Sequence, residues 1–172
     1  MVIRSSNRPR LPRKFWGEII YATPGCGKTY VSSKYRDVVD GDELIVEAIK
    51  EMNDNFMMPS YDDPRTVIFQ YFRYIYFNRN LMKRVYNKMM KKCRDYTADD
   101  DVVLIGTMDL IYKADRIFIQ NDTDLVRDGF QHKQHIEQSR AEEVTENYDI
   151  QTHYMNDYLE NSLQRVAKFG DV

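Results

Sequence analysis

The chain has 172 residues, of which 42% are hydrophobic and 30% are charged. This length suits one domain with a full-sized core, and the composition excludes collagen-like and wholly disordered proteins. No apolar run approaches the roughly 18 residues of a membrane-spanning helix, and two cysteines are too few for a disulfide framework or a four-ligand zinc site. We therefore expect a cytoplasmic protein that does not contact a membrane.

The predicted elements alternate between strand and helix after a flexible basic arm over residues 1–14. Short apolar runs predict strands over 17–22, 38–40, 102–105 and 116–119. Helical spacing predicts helices over 28–35, 42–52 and 109–113, and one long or two shorter helices over about 64–94. From residue 122 the chain is predicted to be mostly helical with a polar break around 129–138, which leaves only 169–172 for a fifth strand. This alternation predicts an α/β fold with a parallel sheet and helices on both faces.

The net charge of −2 conceals four blocks of alternating sign. Residues 1–14 carry +5, residues 15–64 carry −6, residues 65–94 carry +9 and residues 95–172 carry −10. The basic segment 65–94, which also contains many aromatic residues, faces either an anionic partner such as single-stranded nucleic acid or the acidic remainder of the same chain.

The turn after the first strand carries the strongest motif. Residues 22–29 match the phosphate-binding P-loop pattern, except that Ala22 stands where the strict pattern has glycine. Its glycines let the backbone approach phosphate oxygens, its lysine can bridge two phosphates, and its last hydroxyl can ligate Mg²⁺. The residues predicted to contact ATP are Thr23, Pro24, Gly25, Cys26, Gly27, Lys28, Thr29 and Tyr30. The alternative is an ordinary glycine-rich turn before a helix.

A pair of carboxylates follows the second strand. Asp40 ends that strand and is predicted to ligate Mg²⁺ together with Thr29, since ligands lie outside the carboxyl ends of parallel strands. Asp42 is predicted to face the acceptor, where a carboxylate can accept a proton from a hydroxyl group. Asp42 also suits the N-cap of the following helix.

Residues 21–29 followed by residues 39–43 resemble the P-loop small-molecule and nucleotide kinases, including phage-type nucleotide kinases. Shikimate, gluconate and adenylylsulfate kinases carry a similar Asp-x-Asp. The resemblance implies a three-layer P-loop NTPase fold with sheet order 2-3-1-4-5, although here we expect order 2-3-1-4 with the fifth strand short or absent. It further implies ATP·Mg²⁺ as donor and one domain over 15–172, with an acceptor-side helical insertion at 53–95 and a lid at 121–140.

The resemblance also suggests arginines for the transferring phosphate. Arg127 and Arg140 best match the lid arginines, and Arg73 or Arg79 could hold an acceptor phosphate. Each could instead be a solvated surface residue. The third strand ends in Gly106 rather than an acid, so the usual Walker-B aspartate is missing, which argues against motor and switch NTPases.

Three functions follow from these residues. The first is an ATP-dependent nucleoside or deoxynucleoside monophosphate kinase. The second is a hydroxyl kinase that uses Asp42 as a base on a polynucleotide 5′-end or a small metabolite. The third is a non-catalytic nucleotide- or nucleic-acid-binding module with a basic surface at residues 1–14 and 65–94.

Overall fold

The computed structural model describes residues 7–52, 79–126 and 128–169. Its strands are β1 (Ile19–Ala22), β2 (Val38–Asp40), β3 (Val102–Ile105), β4 (Arg116–Gln120) and β5 (Gln151–Met155). Its α-helices are α1 (Lys28–Lys34), α2 (Gly41–Met52), α3 (Arg79–Ala98), α4 (Gln131–Tyr148) and α5 (Leu159–Phe169). Three short 3-10 helices cover Arg13–Phe15, Met108–Lys113 and Thr123–Leu125. Within the described ranges, no helix is long and apolar enough to cross a membrane.

The five strands form one parallel sheet in the order β2-β3-β1-β4-β5. The α/β class and the parallel sheet confirm the prediction, and the first four strands have the expected order 2-3-1-4. The prediction was wrong about the fifth strand, because β5 has five residues, lies at Gln151–Met155 rather than at 169–172, and extends the sheet beyond β4. In β5 only Met155 is buried, and the other four residues are exposed or half-buried. This strand lacks the apolar run of a strand covered on both faces, and it is recognisable only through its pairing with β4.

Helix α4 begins at Gln131, so the polar break predicted around 129–138 is wrong from that residue onward. The buried positions of α4 are Gln134, Glu137, Ala141 and Val144, which recur at helical spacing. Because the first two are polar, the buried face carries no hydrophobic signal at the start of the helix.

The chain forms two compact units. Unit 1 contains the described residues of 1–40 and 96–172 with the whole sheet, and unit 2 contains those of 41–95. In unit 1, one face of the sheet packs Ile20, Leu104 and Phe118 with Val31 of α1 and Leu163 of α5. Helix α4 lies on the opposite face, since its Glu137 neighbours Tyr21, whose side chain alternates with that of Ile20 along β1. The nearly continuous apolar runs of the short strands are therefore buried on both faces of the sheet.

Part of the predicted N-terminal arm is anchored to unit 1. Leu11 is buried, its N–H donates to Asp37 Oδ1 over 2.9 Å, and its carbonyl accepts from Trp16 Nε1 over 2.8 Å. The guanidinium of Arg10 lies 3.7 Å from the centre of the Trp16 ring. The expectation of a flexible arm overlooked Leu11 as a core residue, because one apolar residue among basic ones gives no periodic pattern.

In unit 2, salt bridges join α2 and α3. Lys92 Nζ lies 2.6 Å from Glu51 Oε1 and 3.7 Å from Glu47 Oε2, and Lys88 Nζ lies 3.1 Å from Glu51 Oε2. The predicted insertion at 53–95 falls within this unit, and its residues 53–78 lie outside the described part of the chain.

Candidate functional site

The turn between β1 and α1 is a left-handed glycine turn. Gly25 has a φ of 71° and Gly27 a φ of 104°, a region that L side chains rarely adopt. Lys28 then begins α1 directly. The two glycine positions of the motif therefore have the backbone conformation that successive inward-turned N–H groups require.

The ammonium group of Lys28 lies over the start of this turn. Lys28 Nζ donates to Ala22 O over 2.8 Å and to Thr23 O over 3.1 Å. An ammonium has three N–H donors, so two are used by the turn itself and one remains for a further acceptor. The lysine is thus held beside the loop by its own backbone carbonyls.

Gly106, the first residue after β3, makes room for the Lys28 side chain. A Cβ at this position would lie 2.8 Å from Lys28 Cε and 3.2 Å from Lys28 Nζ. Because β3 is the direct neighbour of β1, residue 106 lies at the same carboxyl edge of the sheet as the glycine turn. From the sequence, Gly106 was notable only because an acidic residue is missing at this position. The sequence did not indicate that the absence of a side chain there makes room for Lys28.

Hydrogen bonds from the sheet and from α5 hold the turn in place. The N–H of Thr23 donates to Phe118 O over 3.1 Å, and Thr23 Oγ1 accepts from the N–H of Gln120 over 2.9 Å. The carbonyl of Cys26 accepts from the N–H of Leu159 over 3.0 Å. These bonds tie both arms of the turn to rigid elements, so its backbone is preorganised.

The residues predicted to contact ATP differ in how far they are exposed to solvent. Thr29 and Tyr30 are exposed in the first turn of α1, Thr23 and Pro24 are buried, and Gly25, Gly27 and Lys28 are half-buried. Cys26 is buried, and burial raises the pKa of its thiol although the nearby Lys28 opposes the rise. A buried thiol with a raised pKa is a poor nucleophile, so the packing disfavours the redox role that a cysteine in this turn suggests.

Asp40 ends β2 in unit 1 and is half-buried. Since β1, β2 and β3 are parallel, Asp40 lies at the carboxyl edge of the sheet, as does the glycine turn. Asp42 belongs to unit 2, where it is half-buried and stands second in α2. The first turn of a helix favours an acidic side chain.

The predicted arginines have different positions. Arg73 and Arg127 lie outside the described residues. Arg79 is exposed at the start of α3. Arg140 is exposed in the middle of α4, not at the start of a helix, and its Nη1 lies 3.4 Å from Glu143 Oε2. An exposed pair of this kind contributes little to stability, so Arg140 remains available to a ligand at little energetic cost.

A buried carboxylate lies close to the glycine turn. Glu137 of α4 is 1% exposed, and its carboxylate neighbours the buried hydroxyl of Tyr21. Burial raises the pKa of Glu137, and the ammonium groups of Lys133 and Lys28 oppose the rise. Burial, together with the charge of Glu137, likewise raises the pKa of Tyr21. The sequence did not predict the pairing of Glu137 with Tyr21. Its only trace in the sequence is an acidic residue at a helix position that is buried in the fold.

The described residues hold no group of three or more His, Cys, Asp and Glu side chains that could bind a metal ion. His132 and His135 are both exposed in α4. A Mg²⁺ ion accompanying a nucleotide takes most of its ligands from phosphate and water, so one hydroxyl and one carboxylate are enough protein ligands for it.

No protein-family model and no curated protein matches the chain.

Proposed function

We propose that this chain is an ATP-dependent phosphotransferase that uses ATP·Mg²⁺ as donor and a nucleoside or deoxynucleoside monophosphate as acceptor. The observation that carries the proposal is the position of Lys28. Its ammonium is held by the carbonyls of Ala22 and Thr23 at the mouth of a turn with two left-handed glycines. A cation beside a left-handed glycine turn that opens a helix suits a polyphosphate.

The glycines of the turn support the approach of a triphosphate. No atom lies within 4 Å of the place that a Cβ at Gly27 would take, so phosphate oxygens could approach the backbone there, while Gly106 leaves the Lys28 side chain its place. The third N–H of the Lys28 ammonium, which the Ala22 and Thr23 carbonyls leave unused, would donate to a phosphate oxygen in a charge-assisted bond.

Thr29 and Asp40 are the residues that would hold Mg²⁺. Thr29 lies in the first turn of α1 and would supply a hydroxyl, and Asp40 ends β2 at the carboxyl edge of the same sheet and would supply a carboxylate. When bound, Mg²⁺ neutralises charge on the transferring phosphoryl group. The protein contributes position: preorganised amides and Lys28 hold the phosphates in line without further rearrangement.

The roles of five further residues remain predictions. Asp42, Arg73 and Arg79 are predicted to contact the acceptor, and Arg127 and Arg140 the transferring phosphate. A monophosphate acceptor is already a nucleophile and needs no base, whereas a hydroxyl acceptor does. If the acceptor is a monophosphate, Asp42→Asn lowers kcat only modestly. Near-complete loss of transfer would instead identify a hydroxyl kinase, in which Asp42 acts as the base.

The experiment is ATP binding followed by an acceptor panel. Isothermal titration with ATP and Mg²⁺ should give an affinity about 10- to 100-fold lower for Lys28→Ala, since one charge-assisted bond contributes about 1.5–3 kcal/mol. Lys168→Ala, which removes an exposed lysine of α5, is the matched control and should bind as the parent does. Equal affinity of the parent and Lys28→Ala would contradict the proposal.

Labelled ATP is then incubated with nucleoside monophosphates, nucleosides and 5′-hydroxyl oligonucleotides. Transfer to monophosphates supports the first candidate. ATP binding without transfer to any of these acceptors would favour the non-catalytic module.

A further inference from the structure

The basic side chains of α3 divide between two faces of the helix. Lys88 and Lys92 turn toward α2, where Glu47 and Glu51 neutralise them. Lys83, Arg84 and Lys91 are exposed, and among the described residues they form no ion pair. Internal neutralisation thus accounts for only part of the positive charge of this helix.

The exposed cations form a narrow stripe. At 100° per residue, positions 83, 84, 87 and 91 fall within an arc of about 100°, and at 1.5 Å per residue the stripe is about 12 Å long. The exposed Asn87 lies between the cations. The one acid of α3 is Asp95, beyond the end of this stripe.

We propose that the stripe formed by Lys83, Arg84 and Lys91 binds the phosphate backbone of double-stranded nucleic acid. A duplex carries one negative charge per about 1.7 Å of its axis, twice the density of one of its strands. The stripe therefore faces several phosphates of a duplex at once, and interfaces with nucleic acid are strongly positive and polar.

Three other partners fit the face less well. A membrane would require an exposed apolar face, but Val85, Met89 and Cys93 of α3 are buried in the fold. An acidic protein would usually provide aromatic or aliphatic contacts at the centre of its interface, and no large hydrophobic residue of α3 is exposed. Single-strand binding relies on exposed aromatic side chains that stack on bases, and the stripe has none.

The salt dependence of binding follows from the number of cations. Three neutralised phosphates give a slope of log K against log salt of about −2.7, which corresponds to about a 40-fold loss of affinity between 50 and 200 mM salt. Each cation removed should flatten the slope by about 0.9.

The test uses the full chain and a fluorescein-labelled 20-base-pair duplex, with anisotropy measured from 50 to 200 mM KCl. Lys83→Gln combined with Lys91→Gln should weaken binding at 50 mM KCl at least tenfold and flatten the slope by about 1.8. The matched control, Lys113→Gln combined with Lys168→Gln, removes two exposed lysines of unit 1 and should leave both quantities unchanged. Circular dichroism verifies that both double variants fold.

Three outcomes would overturn the proposal. These are an unchanged slope in the Lys83/Lys91 variant, tighter binding of a single strand with the same number of phosphates, and equally effective competition by polyglutamate of equal charge. Because ATP binding through Lys28 is measured separately, loss of this proposal leaves the proposed phosphotransferase untouched, and the reverse also holds.

Discussion

Gly106→Ala tests the role of the space beneath Lys28. The new Cβ would lie 2.8 Å from Lys28 Cε, whereas ordinary contact begins at 3.4 Å. The lysine must therefore retreat by at least about 0.6 Å, the difference between the two distances. A shift of this size moves its ammonium relative to the carbonyls of Ala22 and Thr23, with which it bonds at 2.8 and 3.1 Å.

Gly106→Ala should weaken the binding of ATP rather than lower the stability of the fold. The clash involves the far end of a flexible side chain, so we expect the free energy of unfolding in urea to change by less than about 1 kcal/mol. Misplacement of one charge-assisted bond to phosphate costs about 1.4 kcal/mol, which is tenfold in affinity. Isothermal titration should therefore show ATP binding weakened about tenfold by Gly106→Ala.

A double-mutant cycle isolates the cause. In a Lys28→Ala background the added methyl group meets no lysine, so Gly106→Ala should leave the remaining ATP affinity unchanged. If Gly106→Ala weakens ATP equally in both backgrounds, or weakens it in neither, the assignment of Gly106 to the positioning of Lys28 is refuted.

Three further predictions concern buried ionisable groups. Burial raises the pKa of Glu137 above its ordinary 4.5, so the folded state keeps a proton that the unfolded chain releases, and stability should fall as the pH rises above about 4.5. Glu137→Gln should abolish this fall, as measured by Tm from pH 4.5 to 8; a parallel pH profile in parent and variant would contradict it. Asp37→Ala removes the acceptor of the Leu11 N–H and should lower the free energy of unfolding in urea by about 1–3 kcal/mol. Trypsin should then cleave faster after Arg10. Unchanged cleavage would show that this hydrogen bond does not anchor the segment. Burial raises the pKa of the Cys26 thiol and raises that of Cys93 to about 12. Both thiols should therefore react with a thiol reagent only when the protein unfolds. Rapid labelling of the native protein would contradict this packing.

The elements predicted correctly are those whose signal is local. The strands β1 to β4 were predicted from short, mostly apolar runs, because strands covered on both faces need apolar side chains at most positions. The glycine turn was predictable for a similar reason. Its left-handed conformations depend on the absence of a Cβ at Gly25 and Gly27, which is a property of those residues themselves.

The elements missed are those with mixed burial. Strand β5 exposes most of its side chains and exists as a strand through its pairing with β4. The first buried positions of α4 are Gln134 and Glu137, so a search for apolar periodicity finds no helix there. Leu11 is a single apolar residue whose burial depends on a bond to Asp37, 26 residues away.

By itself, the sequence determined the glycine turn and the class of the fold. Both depend on residue type and on neighbours within a few positions, through backbone sterics and the burial of short apolar runs. Only the tertiary structure decided that Gly106 makes room for Lys28, that Glu137 is buried beside the Tyr21 hydroxyl, and that α3 neutralises its cations on one face alone. These features join residues far apart in the chain, and the free energy of such contacts depends on distances and burial that no local pattern encodes.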